Sequence, residues 1–414
     1  MKILWVKPGK LLPLDSGGKL RTYNLVRHLS IKHDVTYLSY YNQPTDEAYE
    51  NDILQHFPRA VVLPALGPKR AGVRRAANYL RHLPERAPYA VSLFASSQVR
   101  RMISEWITQR RFDVLICDFL ASTPNFPSAL TTPVVLFQHN VESVLWERRA
   151  RFARAWATRL IATIECAKMA RYEKRQVQRF NHVFAVSESD RQAMSAMKES
   201  SLISVIPTGV DLCRYRYDPT PRCAPPVVMF TGSMDWEPNI DAVEYFCREI
   251  WPQVLAKVPA AMFRIVGRDP HWRVKKLASR SVELTGTVES VVEHLREAAV
   301  LVVPLRMGGG TRIKIYEGMA MGRATVSTAV GAEGLDVHNG RGILLADEPR
   351  EFADSVVMLL QDEDLRRHCE TAAVAAVQQH DWSAIAEHLA GELQEVVLSG
   401  ERLVSRMTLR KEVA

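Results

Sequence analysis

Residues 308–317, GGGTRIKIYE, place three glycines, two cations and one carboxylate within ten positions. Gly308, Gly309 and Gly310 follow the apolar run VLVVPL and precede a helix-forming stretch. Glycines let backbone N–H groups approach an anion closely, and a helix N-terminus adds a favourable dipole. Thr311 lies in the same turn, and Arg312 and Lys314 bring positive charge to it. The segment therefore predicts a diphosphate cradle. Glu317, two turns in, can accept from both hydroxyls of a ribose. The plainer alternative is a turn ahead of a helix with solvated cations.

Four further stretches end apolar runs in the same way. PLDSGGKLRTYNLVRHL (13–29) has Gly17 and Gly18 for close backbone approach, and Lys19 and Arg21 as anion partners. It lacks the GxGxxG spacing, and no acid follows the second strand in the place a ribose would need, so a dinucleotide site has little support. FQHNVES (137–143) sets His139 at a strand end, where it can orient a hydroxyl or exchange a proton; Glu142 then opens a helix. FTGSMDWEPN (230–239) brings Gly232 and Ser233, and LTGTVES (284–290) offers the backbone of Thr287 and Val288 to a planar base.

The elements that must position these residues alternate between strand and helix. Apolar, β-branched runs occur at 2–6, 34–40, 60–64, 112–118, 133–139 and 182–187, then at 226–232, 261–267, 282–286, 300–305, 324–328 and 342–346. Their near-continuous apolar character predicts parallel strands buried on both faces, hence doubly wound α/β sheets. Residues 207–226 contain five prolines without periodicity and read as an interdomain linker. The expected organisation is a Rossmann-like domain over 1–207, a hinge over 208–226, a second Rossmann-like domain over 227–380, and a last helical segment, 381–414, returning to the first domain. Ligands bind outside the carboxyl ends of such strands, so a central cleft faced by both domains is the expected site.

The 414 residues carry a formal charge of +8 and are 47% apolar, which suits two sizeable cores and anionic partners. Residues 69–111 hold ten Lys/Arg against two acids, and 147–179 hold ten against three. The stretch 148–180 interleaves cations with Trp156, Leu160, Ile161 and Ile164, a pattern suited to an anionic bilayer surface or to a solvated helix on a sheet. The six cysteines show no CxxC spacing and read as reduced thiols. The longest apolar runs fall far short of the roughly 20 residues a membrane span needs. MKILWVKPGK is too strand-like for a signal peptide, so the expected location is cytoplasmic, with peripheral attachment to the inner membrane face as an option.

In this order the motifs resemble those of retaining GT-B glycosyltransferases of the family 4 type, with a group 1 C-terminal domain, over nearly the whole chain. IPTGVDLCRY resembles the family's hinge signature, with Thr208 where Asn is usual. The resemblance implies a nucleotide-sugar donor, UDP- or GDP-linked, and a glycan or lipid-linked acceptor. It implies no cofactor and no metal, and the chain lacks a DxD motif near a strand end. His139, Arg312 and Lys314 take catalytic roles. Gly17, Gly18, Gly232, Ser233, Thr287, Val288, Gly308, Gly309, Gly310, Thr311 and Glu317 fall on the donor, and Lys19, Arg21 and Glu142 on the acceptor. Gly309 stands where the family commonly has Glu, and GSMDWEPN lacks the Arg and Lys that many members carry there, so Arg312 and Lys314 are expected to replace those charges. The competing classes are a sugar-nucleotide epimerase of related fold and a catalytically silent nucleotide-sugar-binding scaffold. A nucleic-acid partner is not expected, because no aromatic stacking platform or known module is present.

Overall fold

The apolar runs fold as two all-parallel sheets in a computed structural model that describes residues 1–67, 72–152, 155–217, 219, 225–308 and 310–412. The chain divides into two compact units, 1–207 with 385–414, and 208–384. The first unit holds strands β1 (Lys2–Pro8), β2 (Asp34–Asn42), β3 (Val61–Leu66), β4 (Val114–Asp118), β5 (Val134–Phe137), β6 (His182–Ala185) and β7 (Ile203–Val205). Their order is β3-β2-β1-β4-β5-β6-β7. The second holds β8 (Val227–Thr231), β9 (Met262–Val266), β10 (Val282–Gly286), β11 (Ala298–Val303), β12 (Ala324–Ser327) and β13 (Ile343–Leu345), ordered β10-β9-β8-β11-β12-β13.

Burial on both faces explains why these strands do not alternate in polarity. Ile3, Leu4, Trp5 and Val6 of β1 are all fully buried, and so are Val300 to Val303 of β11. Each sheet starts in its middle, winds outward, and returns to the other side. The winding reverses between β1 and β4 in the first unit, in register Val6 opposite Cys117. In the second it reverses between β8 and β11, in register Leu301 opposite Met229. The carboxyl ends at such reversals leave a crevice that no crossover helix covers. Gly232 follows β8 and the glycine turn follows β11, so local sequence and topology converge there.

Three expectations change. Residues 203–205 form a seventh strand in the first sheet that is too short to show a period. The run 133–139 pairs as a strand only to Phe137, so His139 lies two residues beyond it, after Gln138 N–H donates to the Phe184 carbonyl. The linker's described part is not a free tether. Val210 N–H donates to the His380 carbonyl, Trp382 N–H donates to the Val210 carbonyl, and Tyr215 is buried, so residues 208–217 pack as part of the second unit.

Candidate active site

In the second unit the site begins with a missing side chain. A Cβ on Gly232 would lie 2.6 Å from Asn239 Nδ2 and 2.8 Å from Lys314 Nζ. The space that glycine leaves is filled by these two polar groups. Asn239, on the helix Glu237–Tyr245, donates through Nδ2 to the Ser233 carbonyl at 2.9 Å. Its Oδ1 accepts from Lys314 Nζ at 3.3 Å. The ammonium also sits 4.2 Å from the centre of the Phe230 ring, a cation–π contact. Gly267 makes the same economy one strand away, because a Cβ there would overlap the Gly232 carbonyl oxygen.

Burial pushes Lys314 down to about 7, the neighbouring Arg312 charge adds to that, and Glu317 opposes it. Two cations are thus crowded together at low dielectric with one carboxylate. An anion bound here would relieve their repulsion and draw a proton to Lys314. Arg312 is itself buried, 4% exposed, and its Nη2 would lie 3.1 Å from a Cβ on Gly308. The turn uses its glycines conformationally: Gly308 has φ +119° and Gly310 φ +80°, values that L side chains rarely adopt. Gly309 lies outside the described residues. The turn is held to the helix Glu237–Tyr245 by a forked ion pair, Arg306 Nη2 to Asp241 Oδ1 at 2.6 Å and Nε to Oδ2 at 3.1 Å. The helix itself starts at Ile313, with Arg312 as its cap residue and Thr311 half-buried just before.

Glu317 lies on the same helix. Its Oε1 accepts from Tyr215 Oη at 2.8 Å. Burial raises its carboxyl, while the Tyr215 hydrogen bond, Arg214 and Lys314 pull the other way, leaving it above the ordinary value. Ser233 Oγ accepts from Arg268 Nε at 3.0 Å and donates to Asp235 at 2.7 Å. In the turn after β10, Thr287 is exposed and Val288 half-buried against the core.

The first unit assembles a buried network at its own reversal point. His139 Nε2 and Asp118 Oδ1 are 2.6 Å apart, and Arg21 Nη1 meets His139 Nδ1 at 3.1 Å. Arginine only donates, so Nδ1 accepts and Nε2 carries the proton towards Asp118. Asp118 Oδ2 also accepts from Trp5 Nε1 at 3.0 Å and Thr22 Oγ1 at 2.6 Å. Burial pushes His139 down to about 4 against the pull of Asp118, so the ring is neutral at pH 7. Phe119 stacks on it with centroids 3.9 Å apart and an interplanar angle of 9°. Phe119 pays for that position with φ +67°, rare for a bulky residue. Gly18 is needed because a Cβ there would lie 2.7 Å from Phe119 Cζ.

This geometry revises two sequence readings. Both His139 nitrogens are engaged and the residue is 5% exposed, so in this state it relays hydrogen bonds and is not a free acid or base. Arg21 is 2% exposed and serves the same network, not the surface. Gly17 and Gly18 open the helix Gly17–Lys32, and Lys19 turns to Asp15 at 2.9 Å and the Pro13 carbonyl at 3.1 Å. Glu142 opens the helix Glu142–Phe152, whose first N–H groups donate to the buried Glu173 carboxylate. Glu142 borders a cavity of about 310 Å³ with Lys7, Val91, Phe94, Phe119 and Met169. Burial and the Glu173 charge push its carboxyl up to about 7.

Sequence reading passed over Asp118, Lys7, Asn239 and Tyr215. Asp118 and Lys7 had a usable signal, a charge closing an apolar strand. Asn239 and Tyr215 had none, since each acts through a distant partner.

Known proteins resemble this chain in both sequence and fold. The family model "Glycosyltransferase Family 4" matches residues 16–214, and "Glycosyl transferases group 1" matches residues 225–362. The phosphatidyl-myo-inositol mannosyltransferase of Mycobacterium tuberculosis is 27% identical over 213 residues, 48% of this chain and 55% of that protein. The chain thus spans about half the length of that curated relative. Sucrose-phosphate synthase from Thermosynechococcus elongatus superposes with a TM-score of 0.68 at 18% identity, covering 96% of this chain and 100% of the other. Anabaena HepE, solved with UDP and glucose, gives 0.65 at 16% identity, covering 95% and 100%. At such identities the structures speak for the fold, and the sequence models speak for the lineage. The chain belongs to the GT-B glycosyltransferases, with a family 4 first half and a group 1 second half.

Proposed function

We propose that the chain transfers a sugar, with retention, from a UDP- or GDP-sugar to a hydroxyl of a lipid-linked or glycan acceptor in cell-envelope synthesis, without a divalent metal. The observation that carries this reading is the crowding of Lys314 and Arg312 beside Gly232, Asn239 and Glu317. The acceptor oxygen bonds to the anomeric carbon as the carbon–oxygen bond to the diphosphate breaks. The departing phosphate oxygen takes the acceptor proton. Its growing charge is met by Lys314 and Arg312, whose effect is greatest where water is excluded. Glu317 holds the ribose, and the turn 286–288 lies against the base. His139, fixed by Arg21, backs Phe119 at the cavity that Glu142 also borders, and we assign that cavity to the acceptor.

A lipid-linked acceptor is supported by the name of the mycobacterial relative. It is also supported by Trp156, Leu160 and Ile161, which are 80%, 54% and 43% exposed among the cations of the helix Trp156–Arg179. We assign that face to an anionic bilayer. No described helix is long and apolar enough to cross a membrane. The test is a transfer assay with labelled UDP- and GDP-sugars, a lipid extract and a chelator present. Labelled lipid product, lost in Lys314→Met, is expected. Hydrolysis or epimerisation alone, with no labelled acceptor, would refute it.

A further inference from the structure

We propose that Tyr215 is a positioning residue for nucleotide binding, fixing the Glu317 carboxylate so that its free oxygen meets the ribose diol. The inference rests on the donor-site reading given above. Tyr215 comes from a segment that shows no secondary-structure signal, yet the residue is only 8% exposed. A short turn holds it there. Asp211 Oδ1 accepts from the N–H groups of Cys213 and Arg214 at 3.0 and 2.9 Å, and Asp211 O accepts from Tyr215 N–H at 2.9 Å. This Asx-type turn is tied in turn to the Val210–Asp381 bridge. The phenol is therefore delivered by rigid backbone, and it donates to Glu317 Oε1 at 2.8 Å.

Among the described residues Oε2 of Glu317 has no hydrogen bond, whereas Oε1 is taken. A carboxylate with one oxygen pinned has lost its rotational freedom before ligand arrives. The ordering cost is then met in the folded protein and not on binding. The same hydrogen bond favours the ionised carboxylate, which is the form that accepts from two hydroxyls. The charged or titratable groups facing Glu317 are Tyr215, Arg214 and Lys314, and burial opposes all three. Removing the phenol leaves burial less opposed, so Glu317 protonates at higher pH.

The test titrates UDP, GDP and their 2′,3′-dideoxy forms calorimetrically into wild type, Tyr215→Phe and Glu317→Ala, at pH 6 and pH 8. Phenylalanine keeps the buried ring, and a melting curve checks the fold. Wild type should prefer the ribose form at least tenfold. Tyr215→Phe should lose most of that preference at pH 6, recover part of it at pH 8, and bind the dideoxy form as wild type does. The ratio of the two ligands cancels the titration of Lys314, which affects both. An unchanged preference in Tyr215→Phe beside a lost one in Glu317→Ala would overturn the inference alone. Tighter ribose binding in Tyr215→Phe would also overturn it, by showing that the phenol competes with the diol. No preference in wild type, with Glu317→Ala unaffected, would overturn the donor-site reading beneath it.

Discussion

Lys314 Nζ lies 3.3 Å from Asn239 Oδ1, in space that exists because residue 232 has no side chain. An ammonium, an amide and a glycine from three separate elements thus make one niche. Its behaviour should follow from crowding and charge.

Filling the niche should abolish its use. In Gly232→Ala the new methyl meets Asn239 Nδ2 and Lys314 Nζ at under 3.0 Å, so one of them must move. We expect nucleoside diphosphate affinity to fall at least tenfold, about 1.4 kcal/mol. Overpacking should also cost about 1–3 kcal/mol of stability. Wild-type affinity in a folded Gly232→Ala protein would show that the ligand does not use this niche.

Lys314 should couple anion binding to proton uptake. Free Lys314 titrates near pH 7 because burial and Arg312 depress it, so at pH 8 it is mostly neutral. A bound diphosphate favours the charged form and pulls a proton on. The apparent enthalpy at pH 8 should therefore differ between two buffers of unlike ionisation enthalpy, and less so at pH 6. Lys314→Met should remove the difference. Equal enthalpies in both buffers at pH 8 would sink this account.

The first unit should be acid-sensitive through His139. Its folded value, about 4, lies below the ordinary 6.5, so the unfolded chain takes up the proton first. Stability present above pH 6.5 should therefore drain away as pH falls towards 4. Melting temperatures recorded over that window should fall less steeply in His139→Gln, although that variant starts lower at pH 7. Parallel slopes for the two proteins would contradict the assignment.

Asp118 is the counter-charge of that network. Asp118→Ala removes the carboxylate that His139, Trp5 and Thr22 share and the larger of the two carboxylate attractions on buried Arg21, ahead of Asp190, and should cost about 3–5 kcal/mol, read by denaturant unfolding. Asp118→Asn keeps the shape and should cost less. A loss below 1 kcal/mol in Asp118→Ala would mean the network is solvated.

The sequence by itself determined the class of twelve of the thirteen strands and the identity of most charged groups. Short apolar runs such as VLVVPL, rich in β-branched residues and bounded by turn residues, read as strands covered on both faces, and a turn of glycines ahead of Arg312 and Lys314 sets backbone N–H groups beside positive charge. These are local properties, set by side-chain periodicity and backbone freedom. What tertiary structure alone decided was pairing. Nothing local in EPN says that Asn239 will meet Lys314, and nothing in CRY says that Tyr215 will meet Glu317, because partners 75 and 102 positions apart are joined by strand order. The same holds for His139, whose place just past a strand was nearly legible but whose engagement by Arg21 and Asp118 was not. Burial sets its protonation, and burial belongs to the fold, not to the residue.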